Sequence, residues 1–289
     1  MVASTDTFPG LLKPTTKPYR LPQINTVPLL IKDGFTLTTL FSIGALMQTA
    51  LFLILPTKYA IIPSSAIALN SIISTIIGTR SKSANTYMNG VVPGRTSAQF
   101  PDPTTGKIPA TPAGRSLLVF HLGVRFNHPL GLLSPGGREI GAYFDAMNKD
   151  LNLRADEYGL YHLSSWQSLE TERNNTLMFI YYFRDVEGLN KFAHDPLHRK
   201  TWDWYNSIRD QFDHIGIFHE GFVTGPQQYE TIYGNMKPTL LGAASLKCKN
   251  EETKEDEWVN TLVNSDNSAL RSQFKRMGKA SRQLVEYET

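Results

Sequence analysis

Two charge-free, strongly apolar stretches lie back to back near the N-terminus, Gly34 to Thr57 and Tyr59 to Thr79, divided only by the charge of Lys58. A helix rises about 1.5 Å per residue, so stretches of roughly 24 and 21 residues each match the hydrocarbon core of a bilayer. In the first, Phe35, Leu37, Leu40, Phe41, Ile43, Leu46, Leu51, Phe52, Leu53 and Ile54 cover every side of a helix. A buried helix of a soluble protein would normally keep a polar face. The second stretch is less apolar, carrying Pro63, Asn70 and several serines. The apolar run starts too far in for a signal peptide, and no small-residue cleavage site follows a short core. The pattern therefore predicts a transmembrane hairpin, 34–57 and 59–79, in contact with membrane lipid and closed by a tight turn at Pro56-Thr57-Lys58. An N-terminal tail, 1–33, precedes it.

The cations flank this hairpin on its outer ends, with Lys13, Lys17, Arg20 and Lys32 before it and Arg80 and Lys82 after it. The positive-inside rule then places both ends, and the C-terminal domain, in the cytosol. A net charge of +3 in 289 residues, with no basic run interleaved with aromatics, argues against a nucleic-acid partner. A single cysteine, Cys248, excludes internal disulfides and Cys-based metal sites. The sequon at Asn174-Asn175-Thr176, if glycosylated, would instead place the domain in a lumen.

Residues 80–114 are rich in Pro, Gly, Ser, Thr and Asn and read as a linker. Residues 246–289 are polar and charged, with Trp258, Leu262, Leu270, Phe274 and Leu284 scattered among them, and read as a loosely held tail. The folding content lies in 115–245. Leu118, Phe120, Leu122, Val124 and Phe126 alternate with Leu117, Val119, His121, Gly123 and Arg125, the period of a strand. Ile140, Tyr143, Phe144, Met147 and Leu151 follow at helical spacing. Two strand-like runs, Tyr158 to Trp166 and Thr176 to Arg184, form a hairpin about the polar residues 170–175. A helical region from Val186 to Ile208 is interrupted at Asp195-Pro196, and His214 to Thr224 is a last strand. The order strand, helix, strand, strand, helix, strand predicts an α+β, ferredoxin-like domain, with the first strand between the last and the third. His121 and Arg125 are then expected beside His219 or His214. The sheet's uncovered face predicts a homodimer.

Three phrases stand out in this block: Arg125-Phe126-Asn127-His128-Pro129-Leu130-Gly131; Phe192-Ala193-His194-Asp195-Pro196-Leu197-His198-Arg199; and His219-Glu220 followed by Tyr229-Glu230-Thr231-Ile232-Tyr233-Gly234-Asn235. In this order, within Ser116 to Gly242, they resemble a fungal family of uncharacterised-domain proteins. That family is related to the antibiotic-biosynthesis-type monooxygenases of the dimeric αβ-barrel superfamily. The resemblance implies an oxygenase acting on a small hydrophobic metabolite in a secondary-metabolite pathway, often with no metal or flavin and with dioxygen as co-substrate. It transfers no catalytic residue, so the site residues rest on chemistry and position.

His219 is an acid-base candidate, since an imidazole moves protons near neutral pH, and His121 is a second. Arg125 and Asn127 could stabilise the negative charge that forms when a deprotonated substrate passes an electron to dioxygen. His128 either binds substrate or braces its turn. His194 and His198 lie four apart, but Pro196 breaks their register and no third metal ligand is evident. Tyr182, Trp202 and Tyr229 are candidates for lining an apolar cavity with polar tips. Two rival readings remain: a haem enzyme with His198 or His219 as axial ligand, and a non-catalytic, membrane-tethered dimer that binds a metabolite.

Overall fold

A computed structural model describes residues 7–19, 34–169 and 175–279. Arg20, Lys32, residues 170–174 with the acceptor Asn174, and Leu284 lie outside the described residues. The described residues form two compact units, one of 34–91 with Leu169 and one of the others.

In the smaller unit, α1 (Leu37–Ile54) is opened by Thr36, whose hydroxyl accepts from the Thr39 N–H at 3.2 Å. The chain leaves the helix at Leu55-Pro56, makes a short turn, α2 (Thr57–Ala60), and enters α3 (Ile62–Arg80) with Pro63 near its start. The expected three-residue turn is thus a longer connection. The ring of Pro56 ends one helix, and a separate helical turn precedes the next. Gln48 Nε2 donates to the Ala60 carbonyl at 3.1 Å and ties this connection back to α1. Both segments are long and apolar enough to cross a membrane. No residue of α1 or α3 is buried; Phe41 is 74% exposed and Leu53 83%.

The larger unit runs through β1 (Thr7–Phe8), β2 (Val92–Ala98), β3 (Ile108–Pro109), β4 (Leu117–Phe126), α4 (Gly137–Leu153), β5 (Leu160–Gln167), β6 (Thr176–Phe183), α5 (Val186–His194), α6 (Pro196–Ile208), β7 (Ile215–Thr224), β8 (Tyr233–Met236), β9 (Ser245–Lys249), β10 (Asp256–Asn260), β11 (Leu262–Asn264) and α7 (Gln273–Arg276). Its centre is an antiparallel sheet in the order β5-β6-β4-β7. This is the ferredoxin-like arrangement, with β4 between the last strand and the third, as expected. Leu118, Leu122, Val124 and Phe126 of β4 turn to one face and pack with Ile140, Phe144, Met147 and Leu151 of α4 and Phe192 of α5. Removal of these large apolar side chains from water is the main force holding helices to sheet.

Asp195 explains the break between α5 and α6. It closes α5 and opens α6, its carboxylate accepting from the Leu197 N–H at 2.9 Å, ahead of Pro196 in the first turn. The same carboxylate accepts from Tyr158 Oη at 2.7 Å and Arg154 Nη1 at 2.8 Å. Burial opposes its charge, but the bonds from Arg154, Tyr158 and Leu197 outweigh burial and hold the carboxyl below the usual carboxylate range. Asp195→Ala is expected to cost about 2–3 kcal/mol, the loss of a cap together with a charged hydrogen-bond centre. A carboxyl depressed in the folded state stabilises above its unfolded pKa near ~4, and that contribution disappears as pH falls through the folded value. Thermal unfolding of the wild type should therefore approach that of the variant on acidification below about pH 4.

The opposite face of the sheet is half covered by the chain itself. Strands β11-β2-β8 form a second sheet and β9-β10 a hairpin. From these and the turn at Leu240–Ala243, residues Ala98, Leu241, Ala244, Leu246 and Val259 pack on Leu117, Val119, Tyr161, Ile180 and Tyr182. The linker expected over 80–114 and the tail expected over 246–289 thus contain the strands of this covering layer. These strands belong to the same unit as the central sheet, whereas residues 80–91 of the expected linker fall in the smaller unit. The far half of the face, carrying His121, Phe218 and Phe222, is only partly buried or exposed. Phe218 lies flat across Gly123, where a Cβ would come within 2.1 Å of its ring.

Candidate active site

Between the sheet and its covering layer is a cavity of about 420 Å³. Its floor is Leu117 and Val119 of β4 with Tyr182 of β6; its wall is Thr224 and the run Tyr229 to Tyr233; its roof is Leu240 and Leu241. The wall is fixed by Thr231, whose Oγ1 accepts from the Ala98 N–H at 2.7 Å. The roof turn is held from beneath. Asn260 Nδ2 donates to the carbonyls of Gly242 at 3.2 Å and Ala244 at 2.8 Å, and Thr261 Oγ1 donates to Leu241 O. The Gly242 N–H in turn donates to Tyr233 Oη at 2.9 Å. Leu240 is held at φ 50°, a left-handed conformation a leucine adopts only when its surroundings dictate it.

Three phenols give this apolar space its polarity. Burial pushes the Tyr182 hydroxyl up to about 12 and raises those of Tyr229 and Tyr233 as well. All three are neutral donors at physiological pH. The Tyr229 hydroxyl is buried with no hydrogen-bond partner among the described residues, although the Arg115 backbone lies close enough to bear on it. A buried hydroxyl left in this state loses its hydration without replacement, so a ligand oxygen placed there gains a bond the protein has not made. Glu230 also lines the space, but its carboxylate is taken by Arg276 Nε at 2.6 Å.

A protein of Aspergillus fumigatus named "Monooxygenase af470" is 41% identical over 271 residues, spanning 93% of this chain and 97% of its own length. The chain belongs to the af470-like monooxygenase family. The family profile, "Monooxygenase af470-like", matches residues 117–241, close to the block that carries the motifs. Family membership makes the chain a monooxygenase, which sets aside the non-catalytic reading. Among solved structures it is similar to SnoaB, a cofactor-independent oxygenase from Streptomyces nogalater, at 10% identity and TM-score 0.26, covering 36% of this chain and 90% of that one. A dimeric ferredoxin-like protein from an uncultured marine organism is similar at 11% identity and TM-score 0.26, covering 38% and 94%.

In this af470-like monooxygenase, the residues singled out from sequence do not form one cluster. Tyr182 and Tyr229 share the cavity. His121 and Arg125 lie on the cavity's face of the sheet, further along β4 than Val119. His219 does not join them. It stands opposite Leu122, so it turns to the helix-covered face, with its ring 5.6 Å from Phe120, while His121 stands opposite Glu220. The expected pairing of His121 with His219 fails by one residue of register, which in a strand means the other face. His214 is no closer to pairing with His121: its Nε2 is held by the Pro135 carbonyl at 3.0 Å and its ring faces His128 at 4.9 Å.

His128 accepts the Leu130 N–H on Nδ1 at 3.1 Å, the turn-bracing arrangement. Asn127 is exposed at the end of β4, and Trp202, 46% exposed on α6, lies against Tyr205. His198 donates its Nδ1–H to the Ala193 carbonyl and packs on Phe192, and burial lowers its pKa. Neither His198 nor His219, the axial candidates, lines the cavity. Among the described residues, no three His, Cys, Asp or Glu side chains gather as metal ligands. Sequence reasoning missed Leu117 and Val119 of the floor, the roof and Tyr233. Tyr229, Thr231 and Tyr233 do alternate by two in a motif already singled out, which marks an extended segment with one polar-aromatic side.

Proposed function

We propose that this monooxygenase oxidises a small hydrophobic metabolite in the tyrosine-lined cavity, with dioxygen as co-substrate and without metal, flavin or haem. The observation that carries the reading is a largely apolar, open-sided cavity with neutral phenol donors in its lining, one of them buried without a hydrogen-bond partner among the described residues. His121, the next residue of β4 after Val119 on the cavity's face of the sheet, removes a proton from an acidic CH₂ or phenol of the substrate. The resulting anion passes one electron to dioxygen, the radical pair combines to a hydroperoxide, and loss of water leaves a carbonyl. Overall, R₂CH₂ + O₂ gives R₂C=O + H₂O. The phenols of Tyr182 and Tyr229 stabilise the anion, with Arg125 and Asn127 beyond the cavity's edge on the bare side.

The unburied α1 and α3 support a two-span membrane anchor with the larger unit in the cytosol, which would place the enzyme where an apolar substrate concentrates. The bare half of the sheet face supports a homodimer, and the substrate chemistry fits a secondary-metabolite pathway. The test is incubation of the full-length protein with a panel of polycyclic phenols and ketones under ¹⁸O₂. One labelled oxygen atom is expected in product, with an ultraviolet-only absorption spectrum for the enzyme. Val119→Trp, which fills the cavity floor, should abolish turnover. Undiminished turnover in that variant removes the cavity as the site, and a Soret band removes the cofactor-free chemistry.

A further inference from the structure

Glu230 is the one residue in the cavity lining that carries a formal charge. It is not free to meet a ligand. Arg276 of α7 reaches it with Nε at 2.6 Å, and Arg276 is itself only 8% exposed, its Nη1 donating to the Leu270 carbonyl at 3.2 Å. Leu270 is fully buried against Ile108 and Val263, so the guanidinium is placed by a well-packed segment. Just beyond, Gly278, at φ 68°, lies so close to Gln227 and Pro112 that a Cβ would come within 2.8 Å of Gln227 Nε2 and 3.0 Å of Pro112 O. The residues after β11 therefore clasp the segment that leads into the cavity wall, and they do so with a charge.

We infer that Arg276 is a positioning residue for the oxygenation site, one that neutralises Glu230 so that the cavity presents only uncharged donors to a ligand acquiring negative charge. The inference rests on the reading of the cavity as the substrate site. An unpaired carboxylate in that space would repel a phenolate or enolate. It would also draw the wall outward toward water, since a charge left without its partner costs more than the pair was worth. Replacing both partners by neutral groups avoids both penalties. That asymmetry separates an electrostatic role from a merely structural one.

The experiment compares full-length wild type, Arg276→Met and the double variant Glu230→Gln/Arg276→Met. Hydrogen exchange of peptides covering 225–233, measured without any ligand, should quicken about tenfold in Arg276→Met and return most of the way in the double variant, a difference of the size a single unpaired charge produces. Peptides from β4 and β6 should be unchanged in both. With 4-nitrophenol as probe, the bound phenolate fraction should fall about tenfold in Arg276→Met and recover in the double variant. Unchanged exchange at 225–233 in Arg276→Met overturns the inference, as does a double variant no better than the single one or unfolding of both. Equal binding of 4-nitrophenol by Val119→Trp would instead remove the cavity as the ligand site, leaving the exchange comparison to judge the ion pair.

Discussion

Alanine in place of His121 is expected to lower turnover by about 10²- to 10⁴-fold, the range for losing a positioned general base, while His219→Ala stays within about twofold of wild type. The contrast follows from register. Val119 forms part of the cavity floor, and His121 is the next residue of β4 on that face, about 7 Å further along the strand. The ring of Phe222, 5.7 Å away and edge-on, flanks its imidazole. His219 is directed to the face the helices cover and has no path to the cavity through the sheet. Added imidazole should restore part of the activity of His121→Ala if the lost group moved a proton. A loss confined to His219→Ala would place the reacting atoms on the helix side and overturn the assignment.

The second large effect is expected from the phenols. Tyr229→Phe removes one hydroxyl from a site that develops negative charge, and donors of that kind are worth about 10²- to 10³-fold in turnover. Because the Tyr229 hydroxyl has no hydrogen-bond partner among the described residues, its removal should leave thermal stability unchanged or slightly raised. Tyr233→Phe should behave oppositely. Its oxygen accepts the Gly242 N–H, so the roof turn loses a bond and stability falls by about 1 kcal/mol. Measured together, turnover and melting temperature therefore distinguish a hydroxyl kept for the ligand from one kept for the fold. Turnover of Tyr229→Phe equal to wild type would dismiss its role.

The four-stranded sheet and its helices were legible because they obey periods that burial enforces. Alternation by two in β4 and spacings of three and four in α4 put one apolar side of each against the other. Asp195-Pro196 marked the break between α5 and α6 for the same local reason, a capping carboxylate followed by a ring suited to a first turn. The covering layer carried no such signal. β2 contains Pro93 and Gly94, β11 is three residues long, and the partners Ala98 and Leu262 stand far apart in sequence. Pairing at that separation leaves no local trace. The site was half legible in consequence. Tyr182 and Tyr229 were recognisable as aromatic lining, whereas the faces of His121 and His219 depended on a β4–β7 register that the intervening residues do not encode.

That covering layer bears on how the enzyme comes into being. β2 precedes the central sheet in the chain, and its neighbour β11 follows it, with the roof turn and Asn260 between. The ferredoxin-like core can collapse on its own helices as it emerges from the ribosome, yet the covering sheet is completed only once β11 has been synthesised and has found β2. Closing so long a loop is slow relative to local contacts. Until β11 pairs with β2, a nascent chain therefore carries the central sheet without the strand that ties the two ends of its covering layer together.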